Sequence, residues 1–166
     1  MDNEYFMSKA LEEAKIALSQ GEFPVGCVIV YRGKIVASGK RKFSKGAFLN
    51  EIDHAEMVAL KCLSELGQAV DSSKATLFCT MEPCLMCLGA IMLSGIRQVV
   101  YAYEDIMGGG TNCDLARLSP LYSRDPIKIV AHVSREKSLA LFKTYFSDPK
   151  NTYWQDSLLA RYTLNQ

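Results

Sequence analysis

The sequence predicts a three-layer α/β/α sandwich formed by one domain over residues 1–166. Stretches with apolar residues at helical spacing alternate with short runs of β-branched residues, in the order α-β-β-α-β-α-β-β-α-α. Such alternation favours a sheet with helices packed on both faces. The chain has 166 residues, of which 49% are hydrophobic and 22% charged, so it can bury a substantial core. We find no repeat and no linker that would divide it.

The first half of the chain contains a helix, a hairpin and a second helix. Apolar residues recur at helical spacing over residues 4–19, and the segment GEFPVG ends that helix. The runs VGCVIVY and KIVASG, joined by the short turn RGK, predict a β-hairpin. Residues 40–53 are polar and predict a loop, and the next helix covers residues 54–66.

Strands and helices continue to alternate in the second half. Pro83 suits the first turn of a helix over residues 84–94, because the N–H that proline lacks has no helical partner there. In chain order the predicted elements are the strand ATLFCT, that helix, the strand QVVYAY, the loop MGGGTNCD, the strand IKIVAHV, the helix REKSLALFKTYF and a last helix over residues 151–163.

The charge balance gives little sign of nucleic-acid or membrane binding. The formal net charge is +1, which argues against a large electrostatic footprint on nucleic acid. The densest basic cluster, GKRKFSKG, either flanks a site or forms a solvated loop. No apolar run approaches the roughly 20 residues of a membrane span, and the charged N-terminal stretch is unlike a signal peptide. We therefore expect a cytoplasmic protein whose cysteines stay reduced.

Two short motifs predict a metal site. His54 and Glu56 lie in HAE at the start of one predicted helix, for which Asp53 is a plausible N-cap. Cys84 and Cys87 lie in EPCLMC at the start of another, and their spacing puts them on one helix face. If the two helix N-termini converge, one imidazole and two thiolates provide the three ligands of a catalytic zinc. The helix dipoles favour negative charge at that point.

Glu56 adds the second requirement of hydrolytic chemistry. Zinc lowers the pKa of a bound water from about 15.7 toward 7, and a neighbouring carboxylate can accept the proton and deliver it to a substrate nitrogen. A C-x-x-C motif alone also suits a redox site or a structural zinc site, which Cys79 or Cys113 would complete. The His54-x-Glu56 pattern favours the catalytic interpretation.

The motif HAE followed by PCLMC matches the H-x-E…P-C-x-x-C pattern of zinc-dependent base deaminases. Together with GEFPVGCVIV and TMEPCLMCLGAIMLSGIRQVVYA, it makes the chain resemble the cytidine-deaminase superfamily over residues 4–110. It is most similar to tRNA wobble-adenosine deaminases, with guanine and cytosine deaminases close behind. The resemblance implies the cytidine-deaminase fold with a mixed five-stranded sheet and a homodimer. It also implies Zn²⁺ bound by His54, Cys84 and Cys87, and Glu56 as the proton shuttle.

The resemblance also suggests how the substrate is bound. In related cytosine deaminases, aromatic residues near the C-terminus help to close the pocket, which suggests Trp154 as a lid, with plain packing as the alternative. Those relatives carry a substrate-binding asparagine upstream of the zinc histidine, where this chain has Phe43, and the nearest asparagine is Asn50. Another residue is therefore expected to recognise the base. The other candidate substrate-binding residues are Phe23, Val25, Gly26, Glu82 and Pro83.

Other conspicuous residues have structural interpretations. Cys27, Cys62 and Cys79 are expected to be small buried residues. Cys113 is left open between a surface residue and a pocket wall, and His132 falls in a strand pattern and is expected to be structural. The GGG run has no following Lys-Ser/Thr, so it predicts a flexible loop at the pocket edge rather than a phosphate loop.

These observations predict a zinc-dependent hydrolytic deaminase that replaces the exocyclic amine of a nucleobase with oxygen and releases ammonia. The near-neutral charge, the acidic Glu51 and Asp53 beside the site and the non-basic C-terminus favour a free base or nucleoside, such as guanine, adenine or cytosine. The GEFPVG similarity favours the alternative, adenosine at the wobble position of tRNA. A non-catalytic zinc scaffold subunit is the third alternative, and such a subunit would be expected to lack Glu56.

Overall fold

A computed structural model describes residues 2–46 and 49–166 and confirms the three-layer α/β/α architecture. Five strands form one sheet in the order β2-β1-β3-β4-β5. β1 pairs antiparallel with β2 and β3, whereas β3 with β4 and β4 with β5 are parallel pairs, so the sheet is mixed as expected. The strands are β1 (Gly26–Tyr31), β2 (Lys34–Lys40), β3 (Ala75–Met81), β4 (Gln98–Tyr103) and β5 (Lys128–Val130).

Helices cover both faces of the sheet. The helices are α1 (Asn3–Ser19), α2 (Ala55–Glu65), α3 (Leu85–Leu93), α4 (Pro120–Ser123), α5 (Arg135–Ser147) and α6 (Leu158–Leu164). Side chains of β1 and β3 alternate between two apolar clusters: Val28 and Phe78 pack with α1, whereas Leu77 packs with α2 on the other face. α5 packs against α1 and β4, and α6 packs against α5.

Two glycines let the helices lie directly on the strands. A Cβ added at Gly26 would lie 2.2 Å from the carbonyl oxygen of Ala10 in α1. A Cβ added at Gly39 would lie 2.2 Å from the carbonyl oxygen of Ala55 in α2. Both distances are far below a van der Waals contact, so the backbones of α1 and α2 are seated where only glycine fits. The close approach at Gly39 fixes the first turn of α2.

The start of each site helix differs from the prediction by one or two residues. Asp53 is not the N-cap of α2; that position belongs to His54, and the Asp53 carboxylate instead accepts hydrogen bonds from Lys61 Nζ at 2.5 Å and Asn50 Nδ2 at 2.7 Å. Pro83 lies before the first turn of α3, because Cys84 is the N-cap there.

The last strand and the last helix are shorter than predicted. β5 ends at Val130, and His132 lies beyond it with φ +65, a left-handed backbone that ends extended pairing. The helix predicted over residues 151–163 begins only at Leu158, where the Ser157 side chain accepts a hydrogen bond from Ala160 N. The segment before it turns at Trp154, which has φ +59.

The cysteines outside the site divide between core and surface. Cys27 and Cys79 are fully buried on paired strands, as predicted. The prediction for Cys62 was wrong: it is exposed, because α2 turns Ala59 and Leu63 inward. Cys113 is exposed as well, which favours the surface alternative. Across residues 2–46 and 49–166, every helix is too short or too polar to span a bilayer.

Candidate active site

Three ligand atoms from two helix N-termini meet at one point. The side-chain atoms of His54, Cys84 and Cys87 that can bind a metal all lie within 4.8 Å of one another. His54 Nδ1 lies 3.6 Å from Cys84 Sγ and 3.5 Å from Cys87 Sγ. Zn–N and Zn–S bonds of ordinary length at a tetrahedral angle put nitrogen and sulfur about 3.6 Å apart. The donor set and its spacing therefore fit zinc with one coordination position left for a non-protein ligand.

The starts of helices α2 and α3 position these ligands. His54 is the N-cap of α2 and Cys84 is the N-cap of α3, and α2 packs against α3. β3 ends at Met81 and leads directly into α3, which carries Cys87 in its first turn. Neither N-cap side chain makes a capping hydrogen bond, and the imidazole and thiol face each other.

The two thiols of the cluster differ in acidity. A hydrogen bond from Cys87, aided by His54, lowers the pKa of Cys84 to about 4. The same hydrogen bond and burial raise the pKa of Cys87, because the proton stays on that sulfur. A hydrogen bond to Cys84 raises the pKa of His54. Cys84 is thus available as a thiolate at neutral pH, and the thiolate is the form of cysteine that binds metal.

Glu56 lies in the first turn of α2 beside the ligand cluster. It is 3% exposed, and burial raises the pKa of its carboxyl group above that of an ordinary glutamate. A carboxyl group whose pKa is raised toward the working pH is better suited to accept a proton and then to donate it. Among the described residues the metal cluster comprises His54, Cys84 and Cys87, so Glu56 stands beside it rather than in it.

A cavity of about 220 Å³ opens onto the cluster. His54, Glu56 and Cys84 line its metal end. Four of the six predicted substrate-binding residues also line it; they are Phe23, Val25, Glu82 and Trp154. The structure places Gly26 and Pro83 outside the lining: Gly26 packs under α1, and the Pro83 carbonyl accepts a hydrogen bond from Gly110 N.

Glu82 organises the glycine-rich loop as well as lining the cavity. Its carboxylate accepts hydrogen bonds from Asp105 N at 3.1 Å and from Thr111 N at 3.2 Å. A Cβ at Gly109 would lie 2.5 Å from that carboxylate, so the loop wraps it closely. Gly108 lines the cavity, and the predicted place of the GGG run at the pocket edge is confirmed.

The cavity also contains residues that sequence reasoning missed. Tyr153 and Leu159 are two of them, and together with the predicted Trp154 we name them the C-terminal wall, because they close one side of the cavity. Arg41 is 2% exposed and lines the cavity; its guanidinium donates to Asn50 O at 2.6 Å and to Glu51 Oε2 at 3.0 Å. The other missed residues in the lining are Ala55, Met81, Asp105 and Met107.

Two of these residues carried a usable signal. Arg41 is the first residue after β2, and it is buried. Its position at the end of a strand is the one signal in the sequence that separates it from the other residues of the basic cluster. Tyr153 adjoins Trp154, and its hydroxyl donates to Glu51 Oε2 at 2.8 Å.

Asn50 lies outside the lining, and its side-chain oxygen accepts hydrogen bonds from Ile52 N and Asp53 N within its own turn.

Comparison with known proteins agrees with this geometry. Residues 1–103 match the family model for the cytidine and deoxycytidylate deaminase zinc-binding region. The chain is 34% identical over 155 residues to tRNA-specific adenosine deaminase 2 of Xenopus laevis, covering 85% of this chain and 84% of the relative.

Solved structures show the same architecture. A structure from studies of A-to-I editing by tRNA:A34 deaminases at the wobble position superposes with a TM-score of 0.67 and 27% identity, covering 79% of this chain and 99% of that one. The guanine deaminase from Nitrosomonas europaea superposes with a TM-score of 0.68 over 86% of this chain and 83% of its own. The identity to that enzyme is 21%, so the likeness concerns the fold.

Proposed function

The chain belongs to the cytidine and deoxycytidylate deaminase family, and we propose that it converts adenosine to inosine at the wobble position of tRNA. It is a zinc-binding hydrolytic deaminase, which breaks the C–N bond between a ring carbon and its exocyclic amine. The similarity to tRNA-specific adenosine deaminase 2, which extends over 84% of that relative, carries the choice of substrate. It outweighs the preference for a free base that the near-neutral charge suggested.

We assign the chemical roles to four residues. His54, Cys84 and Cys87 hold the zinc, which when bound supplies the Lewis acid that makes a water molecule nucleophilic near neutral pH. Glu56 would accept one proton from the attacking water and deliver it to the ring nitrogen next to the reacting carbon, and would then pass a second proton, from the hydroxyl group left on that carbon, to the departing amine. Its burial and raised pKa support this shuttle, since such a carboxyl group holds a transferred proton more firmly than an ordinary glutamate does.

The cavity supports an extruded base as the reacting group. Phe23, Val25 and the C-terminal wall give it apolar sides, while Glu56 and the metal ligands stand at its inner end. Enzymes that deaminate a base within a nucleic acid take that base out of its stack and into such a pocket. A cavity of about 220 Å³ admits one base while the rest of the anticodon loop stays outside.

The test compares substrates directly. Purified protein is given an anticodon stem-loop with adenosine at the wobble position, adenosine, adenine, guanine and cytosine, and both ammonia and inosine are measured. We expect inosine in the stem-loop, with kcat/KM above that for any free base or nucleoside. The Glu56→Ala protein is the matched control for contaminating activity. Faster deamination of a free base or nucleoside would contradict the tRNA assignment and restore the small-molecule interpretation.

A further inference from the structure

Trp154 is both part of the cavity and open to solvent. It lines the cavity as part of the C-terminal wall, yet it is 44% exposed. The chain contains one tryptophan, so this ring is the largest aromatic surface available at the site. An indole whose only role was core packing would be covered, as Phe142 and Tyr145 are in α5.

The backbone on both sides of Trp154 is held in place. The neighbouring Tyr153 donates its hydroxyl to Glu51 Oε2 at 2.8 Å and packs its ring on Phe23 with centroids 5.3 Å apart. On the other side, Gln155 Nε2 donates to Phe146 O at 2.8 Å. Trp154 itself has φ +59, a conformation that costs a bulky residue free energy. The anchored neighbours thus keep an exposed indole at the cavity mouth.

Charge at the mouth gives little help in binding a polynucleotide. Among the described residues that line the cavity, Arg41 is the single lysine or arginine, and Glu51 already pairs with it at 3.0 Å. Glu82 and Asp105 add carboxylates to the lining. The cavity lining itself therefore offers little for phosphate to bind, and among its residues an exposed aromatic ring is the feature best suited to hold a single strand.

We infer that Trp154 stacks on the nucleobase next to the target adenosine in the anticodon loop, which makes it a substrate-positioning residue. The inference rests on the proposed function, since it needs a single-stranded substrate with a base on either side of the target. Single-stranded RNA loops are recognised by stacking of splayed bases on aromatic side chains.

The single tryptophan allows a direct binding test. Its fluorescence, excited beyond the absorption of tyrosine, is followed while the anticodon stem-loop is titrated into Glu56→Ala protein, which blocks turnover. We expect quenching by the intact stem-loop. Stem-loops with an abasic site 5′ or 3′ of the target identify the stacked neighbour, because one of them should lose the quenching. Quenching that survives both abasic sites, or no quenching at all, would overturn the inference.

Kinetics of three variants give an independent readout. Trp154→Ala should lower kcat/KM for the stem-loop about 5- to 150-fold, the range for loss of one aromatic–base stack. Trp154→Phe keeps a ring and should lose less. Leu158→Ala removes an exposed apolar side chain that is 49% exposed and lies outside the cavity lining, so it should leave kcat/KM unchanged. Equal rates for Trp154→Ala and wild type contradict the inference.

The two proposals fail separately. Inosine formation without quenching, and with a fully active Trp154→Ala protein, removes the role of Trp154 but keeps the tRNA activity. Quenching that depends on a neighbouring base, without inosine, keeps the stacking role and removes the proposed reaction. Zinc content and the melting temperature of each variant, measured beside wild type, show that any loss comes from the indole rather than from misfolding.

Discussion

The two ends of the cavity are held by different kinds of structure. At the metal end, His54 and Cys84 start helices that pack on the sheet, and Gly39 lets α2 rest on β2 at backbone contact. At the C-terminal wall, residues 148–157 lie between α5 and α6 outside any helix or strand, and side-chain hydrogen bonds hold them. The metal ligands thus sit at the ends of regular elements, whereas most of the C-terminal wall sits on a segment that side-chain hydrogen bonds hold.

This difference predicts two classes of variant. Changes at the metal end should affect every substrate equally, because they remove the zinc or the proton transfer. Changes at the C-terminal wall should alter the preference among substrates while zinc content stays the same. The following experiments test that division.

The largest effect is expected from Cys84→Ser. Losing a thiolate ligand should remove zinc, abolish ammonia release from every substrate and lower the melting temperature of the protein as isolated, because metal-binding free energy adds to folding free energy. Zinc content by elemental analysis and an ammonia assay provide the measurement, with the exposed Cys62→Ser as the matched control. Full zinc occupancy in Cys84→Ser would show that the ligand assignment is wrong.

Glu56→Ala separates proton transfer from metal binding. The variant should keep zinc, since Glu56 is not in the metal cluster, and lose roughly 10² to 10⁴ in kcat, the usual contribution of general acid–base catalysis. Zinc content and kcat are measured on the same preparation. Turnover near the wild-type rate on the preferred substrate would exclude Glu56 as the shuttle.

Gly39→Ala tests whether the close packing of α2 on the sheet contributes to zinc binding at the metal end. The new Cβ would meet Ala55 O at 2.2 Å, so α2 must shift, and we expect about 1–3 kcal/mol of lost stability together with weaker zinc retention. Chemical denaturation and competition with a chelator measure the two effects. Gly89→Ala on α3 is the control, because nothing lies within 4 Å of its added Cβ and alanine favours the helix. Similar losses in both variants would mean that the close approach has no special role.

The smallest effect is expected at the C-terminal wall, from Tyr153→Phe. The change deletes the hydroxyl that donates to Glu51 at 2.8 Å and keeps the ring, so about 0.5–1.5 kcal/mol of anchoring is lost. We expect KM for the stem-loop to rise a few-fold with zinc content unchanged. Tyr162→Phe is matched to it, since that hydroxyl donates to Glu104 at 2.7 Å away from the cavity. A fall in zinc content in Tyr153→Phe would break the division between the two ends.

Sequence reasoning reached the metal end because its signals are local. Each strand pattern spans only a few residues. His54 and Glu56 form one short motif, Cys84 and Cys87 form another, and the helices that begin at these motifs bring the three metal ligands together. The Asp53 and Pro83 predictions missed because a helix boundary depends on which residue first adopts helical dihedral angles, and both positions precede that residue.

The residues at the C-terminal wall and around Arg41 were predicted less well because they are distant from one another in sequence. Arg41, Glu51 and Tyr153 meet only through the packing of the segment before α6 against the loop after β2. Propensity favoured a helix over residues 151–163, but the left-handed turn at Trp154 overrides it. Gly26 was predicted from its place in the stretch GEFPVGCVIV, but it lies outside the cavity lining because α1 rests upon it.

His54 and Cys84 also place stability and activity in conflict. Each occupies an N-cap without making a capping hydrogen bond, whereas serine, asparagine or aspartate there would contribute about 0.5–2 kcal/mol. With zinc removed by a chelator, Cys84→Ser should therefore be at least as stable as wild type. In a lineage without selection for deamination, we expect substitutions at positions 54 and 84 to favour these capping residues. Deaminase activity would then be lost first through replacement of the metal ligands.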